Sequence, residues 1–175
     1  MVLRACDVMQ SQVATVEPGV SLIRLEELLA QEKVSGMPVV ERGDLIGVVS
    51  RTDIVRGLGK AEGAAEATQA YYRDVAGAEL DAAAAARQSG ERVAAMTVRD
   101  IMASEIVAVS PDDPIRDVAQ VLVRGRMHRL LVTEGRRLVG IVTTLDLVRA
   151  IANGRLVAAE ELSTRPPPER GDPTS

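Results

Sequence analysis

Residues 126–146 read RMHRLLVTEGRRLVGIVTTLD. Two short apolar runs, Leu130-Leu131-Val132 and residues 138–142, flank a polar turn, Glu134-Gly135-Arg136-Arg137. That spacing predicts a β-hairpin with one side chain in two facing a core. The first strand opens with His128-Arg129, two groups that can hold an anion. The second strand ends in Thr143-Thr144-Leu145-Asp146, and a helix-like run over 147–152 follows. A hydroxyl and a carboxylate three residues apart therefore stand where a strand becomes a helix. The free backbone N–H groups of a helix start favour an anion there, such as a phosphate. The carboxylate can accept hydrogen bonds from a diol such as a ribose. The stretch has the chemistry to hold a nucleotide.

The rest of the chain carries a second copy of this pattern. A constant shift of 93 residues lays 5–58 over 98–151 without a gap, placing Asp7 on Asp100, Met9 on Met102 and Pro18 on Pro111. It also places Val39 on Val132, Gly47 on Gly140 and Asp53 on Asp146. A register held across both spans marks a duplicated module. Each copy reads β-α-β-β-α. A short strand (13–16; 106–109) runs into a Pro-containing turn, then a helix (22–31; 115–124). In copy one a strand over 37–40, a turn at Glu41-Arg42-Gly43-Asp44, a strand over 45–49 and a helix over 52–58 complete the unit. Ser21 is the expected N-cap of the first helix, and Asp113 before Pro114 marks the start of the second. Leu22, Leu25, Leu28 and Leu29 form an apolar stripe at helical spacing.

One copy is too small to bury its sheet well, so the two are expected to pack sheet to sheet. The expected fold class is α+β (α/β): two β-α-β-β-α repeats with pseudo-twofold symmetry, joined by a helical connector. The divisions expected are repeat one over 1–58, connector over 59–96, repeat two over 97–156 and a C-terminal segment over 157–175. The connector is Ala-rich, including the run 82–86, and Ala is the strongest helix former. Its Tyr71, Tyr72 and Leu80 allow two readings, plain parts of a connector or a dimer or partner contact. Pro166-Pro167-Pro168 lies in a tail expected to be disordered.

Composition narrows the function. The 175 residues are 46% hydrophobic but only 1% aromatic, with two Tyr and no Phe or Trp. That leaves no aromatic platform for stacking single-stranded nucleic acid. A net charge of −4 supplies no broad basic field for a duplex. One Cys and one His provide neither a disulfide nor a cysteine-type metal cluster. The opening Met1-Val2-Leu3-Arg4-Ala5 lacks the long apolar run of a signal peptide, and no stretch approaches a membrane span. A cytoplasmic setting is expected.

The chain resembles a tandem CBS-domain pair, the cystathionine-β-synthase type repeat or Bateman module. The resemblance rests on the paired Asp-Val-Met and Asp-Ile-Met openings, on Ser-Gly-Met-Pro-Val-Val in copy one, and on two closing motifs. Those are Leu-Ile-Gly-Val-Val-Ser-Arg-Thr-Asp-Ile (45–54) and Leu-Val-Gly-Ile-Val-Thr-Thr-Leu-Asp-Leu (138–147). The resemblance implies a non-catalytic regulatory module with no obligatory cofactor. It would bind an adenosine-type ligand (AMP, ADP, ATP or S-adenosylmethionine) between the repeats and signal to a regulated protein. It also implies a homodimer forming a four-repeat disc, with no membrane or nucleic-acid partner.

By the same resemblance, Asp146 and Asp53 hold ribose hydroxyls, and Thr143 and Ser50 lie near ribose or phosphate. His128 and Arg129 match phosphate-contacting positions. Ile106, Val107 and Met127 would enclose adenine in one cleft, and Val13, Ala14, Met37 and Pro38 in the other. Copy one has Ser35-Gly36 where copy two has His128-Arg129, with Arg51 as a substitute charge, so unequal clefts are expected. Other readings stay open. Thr143 and Ser50 could be plain helix N-caps with Asp146 and Asp53 favouring the helix dipole. The whole chain could be a ligand-free dimerisation or interaction module. No P-loop, Gly-rich dinucleotide fingerprint or nucleophile–His pair supports an enzyme.

Overall fold

The computed structural model describes residues 2–59, 71–72 and 95–156. Leu80 and the tail lie outside the described residues, as does the connector apart from helical Tyr71 and Tyr72 and its last residues. In copy one, α1 (Leu22–Gln31) begins at Ser21, whose Oγ accepts the Arg24 N–H at 3.3 Å. It buries Leu22, Leu25 and Leu29, with Leu28 at the margin. The hairpin β1 (Gly36–Glu41) and β2 (Asp44–Ser50) follows, then α2 (Arg51–Gly59). Arg42 and Gly43 both have positive φ (53° and 93°), the geometry that a two-residue hairpin loop demands.

Copy two repeats the order: α3 (Val98–Ile101), β3 (Ala108–Val109), α4 (Ile115–Gly125), β4 (Arg129–Glu134), β5 (Arg137–Thr143) and α5 (Thr144–Ala152). The duplication extends to irregularities. The β1–β2 register shifts between Val39 and Val40, and the β4–β5 register between Val132 and Thr133.

Two local expectations are corrected. The strand expected over 13–16 reduces to one parallel bridge, Val16 to Val39, because residues 13 and 14 leave the sheet to line a cleft. Asp113 does not cap α4. Its carboxylate accepts the Ser110 N–H at 2.8 Å in the preceding turn, and Pro114 takes the N-cap without a side-chain bond.

The two copies exchange their opening segments. Leu3, Ala5, Val8 and Met9 pack into the core of copy two with Ile115, Val118, Leu122, Leu130 and Val132. The Ile115 N–H donates to the Leu3 carbonyl at 2.8 Å, and Gln10 and Ile141 exchange backbone bonds at 2.9 and 3.0 Å. Conversely Val98, with Met96, Ile101 and Met102, joins the core of copy one around Leu25, Leu29 and Met37. Val48 and Ala103 exchange bonds at 2.9 Å. The matched glycines make these crossings possible. A Cβ on Gly47 would stand 2.6 Å from the Ala103 carbonyl oxygen, and one on Gly140 would stand 2.6 Å from the Met9 sulfur.

A third cluster lies between the copies, with Leu45 and Val48 of one facing Leu131 of the other around Ala103, Tyr71 and Tyr72. The sheets thus pack face to face and also join edge to edge at a single pair, Asp44 with Arg137, in the order β1-β2-β5-β4-β3. Tyr71 and Tyr72, each 1% exposed, are core residues, which removes them as a surface contact for a partner. No helix among the described residues is long and apolar enough to cross a membrane.

Candidate ligand-binding cleft

The junction of β5 and α5 is a reciprocal cap. The Thr143 N–H and hydroxyl donate to Asp146 Oδ2 at 2.8 and 2.6 Å, and the Asp146 N–H returns to the Thr143 oxygen at 3.3 Å. The junction of β2 and α2 repeats this, with the Ser50 N–H and hydroxyl each 2.7 Å from Asp53 Oδ2. One oxygen of each carboxylate therefore does the N-capping that sequence allowed. The other oxygen distinguishes the two sites. Asp146 Oδ1 accepts from the Gln10 side-chain amide at 3.1 Å and lies 3.5 Å from the Arg149 guanidinium. Asp53 Oδ1 is buried with no hydrogen-bond donor. Burial pushes the Asp53 carboxyl up to about 6, against the Ser50 hydrogen bonds and the Arg56 charge that pull it down.

An open cleft of about 480 Å³ lies between the copies. One wall is copy one: Val13, Ala14, Val34, Gly36 and Pro38. The other carries His128, Arg129, Thr143 and the first turn of α5, with Gln10 reaching from the lining to Asp146. The structure therefore joins Val13, Ala14 and Pro38 to the His128–Asp146 motif. Met37 does not line this wall. Strand alternation turns it, 1% exposed, into the core of copy one.

Ile106, Val107 and Met127 pack instead against the cluster between the copies that holds Tyr71, Tyr72 and Leu131. The Tyr72 hydroxyl accepts the Val107 N–H at 2.9 Å, and burial pushes its pKa up to about 12. Ser50 and Asp53 are 3% and 2% exposed, and Arg51 is paired with Glu26 at 3.4 Å. The Arg129 guanidinium sits 5.4 Å above the Tyr71 ring and donates to Ser35 Oγ at 3.3 Å. Gln10 and Tyr71 are lining residues that the sequence reading missed. Gln10 has no signal because it arrives on an exchanged segment. Tyr71 had one: the chain's two aromatic residues stand side by side in an Ala-rich stretch.

What the cleft can do follows from its parts. Val13, Ala14, Val34 and Pro38 give one side of the cleft an apolar lining, and the Ala14 N–H has no hydrogen-bond partner among the described residues. Across from them stand a cationic side chain, an imidazole and a helix start, with the Asp146 carboxylate buried behind Thr143 and Gln10. No group of His, Cys, Asp and Glu that could hold a metal ion occurs among the described residues. The CBS domain matches the chain twice, over residues 5–60 and 98–153.

The chain belongs to the CBS-domain family.

It is 30% identical over 141 residues to the CBS domain-containing protein YhcV of Bacillus subtilis, covering 81% of this chain and 80% of that protein. Among solved structures it is similar to CBSX2 in complex with AMP, with 23% identity, a TM-score of 0.62, and coverage of 87% and 98% of the two chains. It is also similar to the CBS domain pair of MJ0100 in complex with 5-methylthioadenosine and S-adenosyl-L-methionine. That likeness has 18% identity, a TM-score of 0.59, and coverage of 88% and 99%. Likeness at these identities speaks to the fold. The five-stranded mixed architecture is that of a CBS pair.

Proposed function

We propose that this CBS pair is a non-catalytic regulatory module that binds one adenosine-type ligand (AMP, ADP, ATP or S-adenosylmethionine) in the open cleft. The observation that carries this reading is the meeting, in one cleft, of Val13, Ala14 and Pro38 of copy one with His128, Arg129 and Thr143 of copy two, beside the buried Asp146 that Thr143 and the lining Gln10 both reach. In this arrangement the base lies between Val13, Ala14 and Pro38 and accepts the Ala14 N–H. The ribose diol reaches Asp146 Oδ1, displacing the Gln10 amide. The phosphate or other polar tail faces His128, Arg129 and the start of α5. The AMP complex of CBSX2 and the two adenosine derivatives on MJ0100 support this ligand class. A volume of about 480 Å³ suits a small molecule.

A ligand held by both copies favours one relative placement of them. The placement is what a regulated protein, cytoplasmic in this proposal, reads. The test is a thermal-shift titration with AMP and adenosine. At about a hundred times its dissociation constant a ligand stabilises the fold by roughly 2.7 kcal/mol. Asp146→Ala should abolish the shift for both. His128→Ala should weaken AMP and leave adenosine unchanged. Wild-type protein, shown to be ligand-free and giving no shift with any adenosine-type ligand, would refute the proposal in favour of an interaction module.

A further inference from the structure

The shift of 93 residues that relates the copies also says where a second cleft has to lie. It carries Val13 and Ala14 onto Ile106 and Val107, Val34 onto Met127, and Thr143 and Asp146 back onto Ser50 and Asp53. The polar half of that cleft is built: Ser50 and Asp53 make the same cap as Thr143 and Asp146, and Asp53 Oδ1 is buried with no donor. The apolar half is filled by the chain itself. Tyr72 belongs to the buried cluster against which Ile106, Val107 and Met127 pack, the counterparts of the wall that is open in the other cleft. Its hydroxyl takes the Val107 N–H, whereas the matching Ala14 N–H has no partner among the described residues. The Tyr72 carbonyl accepts the His128 N–H at 2.7 Å, and the Tyr71 ring meets it edge-on at 4.9 Å, which fixes its position.

We infer that Tyr72 is an intramolecular occupant of the second cleft, its phenol standing where the base of an adenosine-type ligand would lie. The chain then takes one ligand readily and a second only when Tyr72 leaves. This rests on the reading that the open cleft takes such a ligand. A flat ring with one polar edge group is the side chain that best imitates a base in such a slot, and the chain has only two Tyr and no Phe or Trp to use. A second ligand must break the bond to Val107 and expel a buried ring. Its apparent affinity is therefore reduced by the fraction of chains in which Tyr72 is out. Occupancy of that cleft and the position of Tyr72 become one equilibrium.

Equilibrium dialysis with AMP tests this on the wild type, Tyr72→Ala, Tyr72→Phe and Tyr72→Ala/Asp53→Ala, with circular dichroism as a folding control. The wild type should bind one AMP tightly and a second only at far higher concentration. Tyr72→Ala should bind two with comparable affinity, and adding Asp53→Ala should return the count to one. Tyr72→Phe keeps the ring and loses one hydrogen bond, so the second step should tighten roughly fivefold even if the alanine variant does not fold. Equal binding of two AMP by the wild type overturns the inference and leaves the open cleft standing. A single AMP on Tyr72→Ala, or an unchanged second step in Tyr72→Phe, does the same. No uptake by any variant refutes the open-cleft reading and this inference together.

Discussion

Asp53 makes stability depend on pH in a direction opposite to most carboxylates. It is 2% exposed, and burial pushes it up from 3.8 to about 6. The folded protein therefore holds this proton more tightly than the unfolded chain does. Its favourable contribution is fully present below about pH 4 and is lost as pH rises through about 6. The gap between 3.8 and about 6 corresponds to about 3 kcal/mol at full ionisation. Asp53→Asn has the same size, is neutral at every pH, and can still accept the Ser50 N–H through its carbonyl. Its stability relative to the wild type should improve by up to about 3 kcal/mol between about pH 4 and about pH 7.5, less the weaker hydrogen bonds of a neutral acceptor. Urea unfolding of both proteins across that window reads the difference, and distant carboxylates cancel in it. A difference that stays flat, or that favours the wild type increasingly as pH rises, would refute the assignment of Asp53 as a carboxyl destabilised by burial.

Two further perturbations address the exchange of segments and the assembly. Gly47→Ala places a Cβ 2.6 Å from the Ala103 backbone oxygen, which cannot rotate away. It should cost about 1–3 kcal/mol by urea unfolding, and more than Gly140→Ala, where the nearest atom is the sulfur of the flexible Met9 side chain. Equal costs would refute the reading that rigid backbone opposes the added methyl at Gly47 and a yielding side chain at Gly140. The apolar stripe Leu145, Val148 and Ile151 along α5 is more than half exposed at each residue. If it is the face on which two copies pair into the proposed disc, light scattering should give a dimer mass for the wild type and a monomer mass for Val148→Glu. A wild-type monomer at micromolar concentration would exclude that pairing.

Much of this molecule is legible in local sequence. The duplication, both hairpins and the bounds of α1 follow from period and punctuation, which are properties of neighbouring residues. The Thr143–Asp146 and Ser50–Asp53 caps follow from the same kind of evidence, a spacing of three residues at a strand end. Met37 departs from its expected place because a strand puts adjacent residues on opposite faces, so Pro38 lines the cleft and Met37 the core. Asp113 differs from its expected role because its carboxylate takes the Ser110 N–H of the preceding turn, a choice that spacing alone does not decide.

Sequence by itself determined that there are two copies, that each closes on a hydroxyl–carboxylate cap, and that only copy two has the His128-Arg129 pair. Tertiary structure decided how the copies complete each other. Gln10 reaches Asp146 across 136 residues, and Val98 fills the core of copy one, because each opening segment buries its apolar side chains against the other sheet. It also decided that the two matched clefts differ in the structure: one is open, and in the other Tyr72 sits on Val107. Duplicated sequence gives both sites the same hydroxyl–carboxylate cap and the same apolar wall positions. Tyr72 has no counterpart in the repeat, and its one hydroxyl can take only one of the two matched N–H groups, that of Val107.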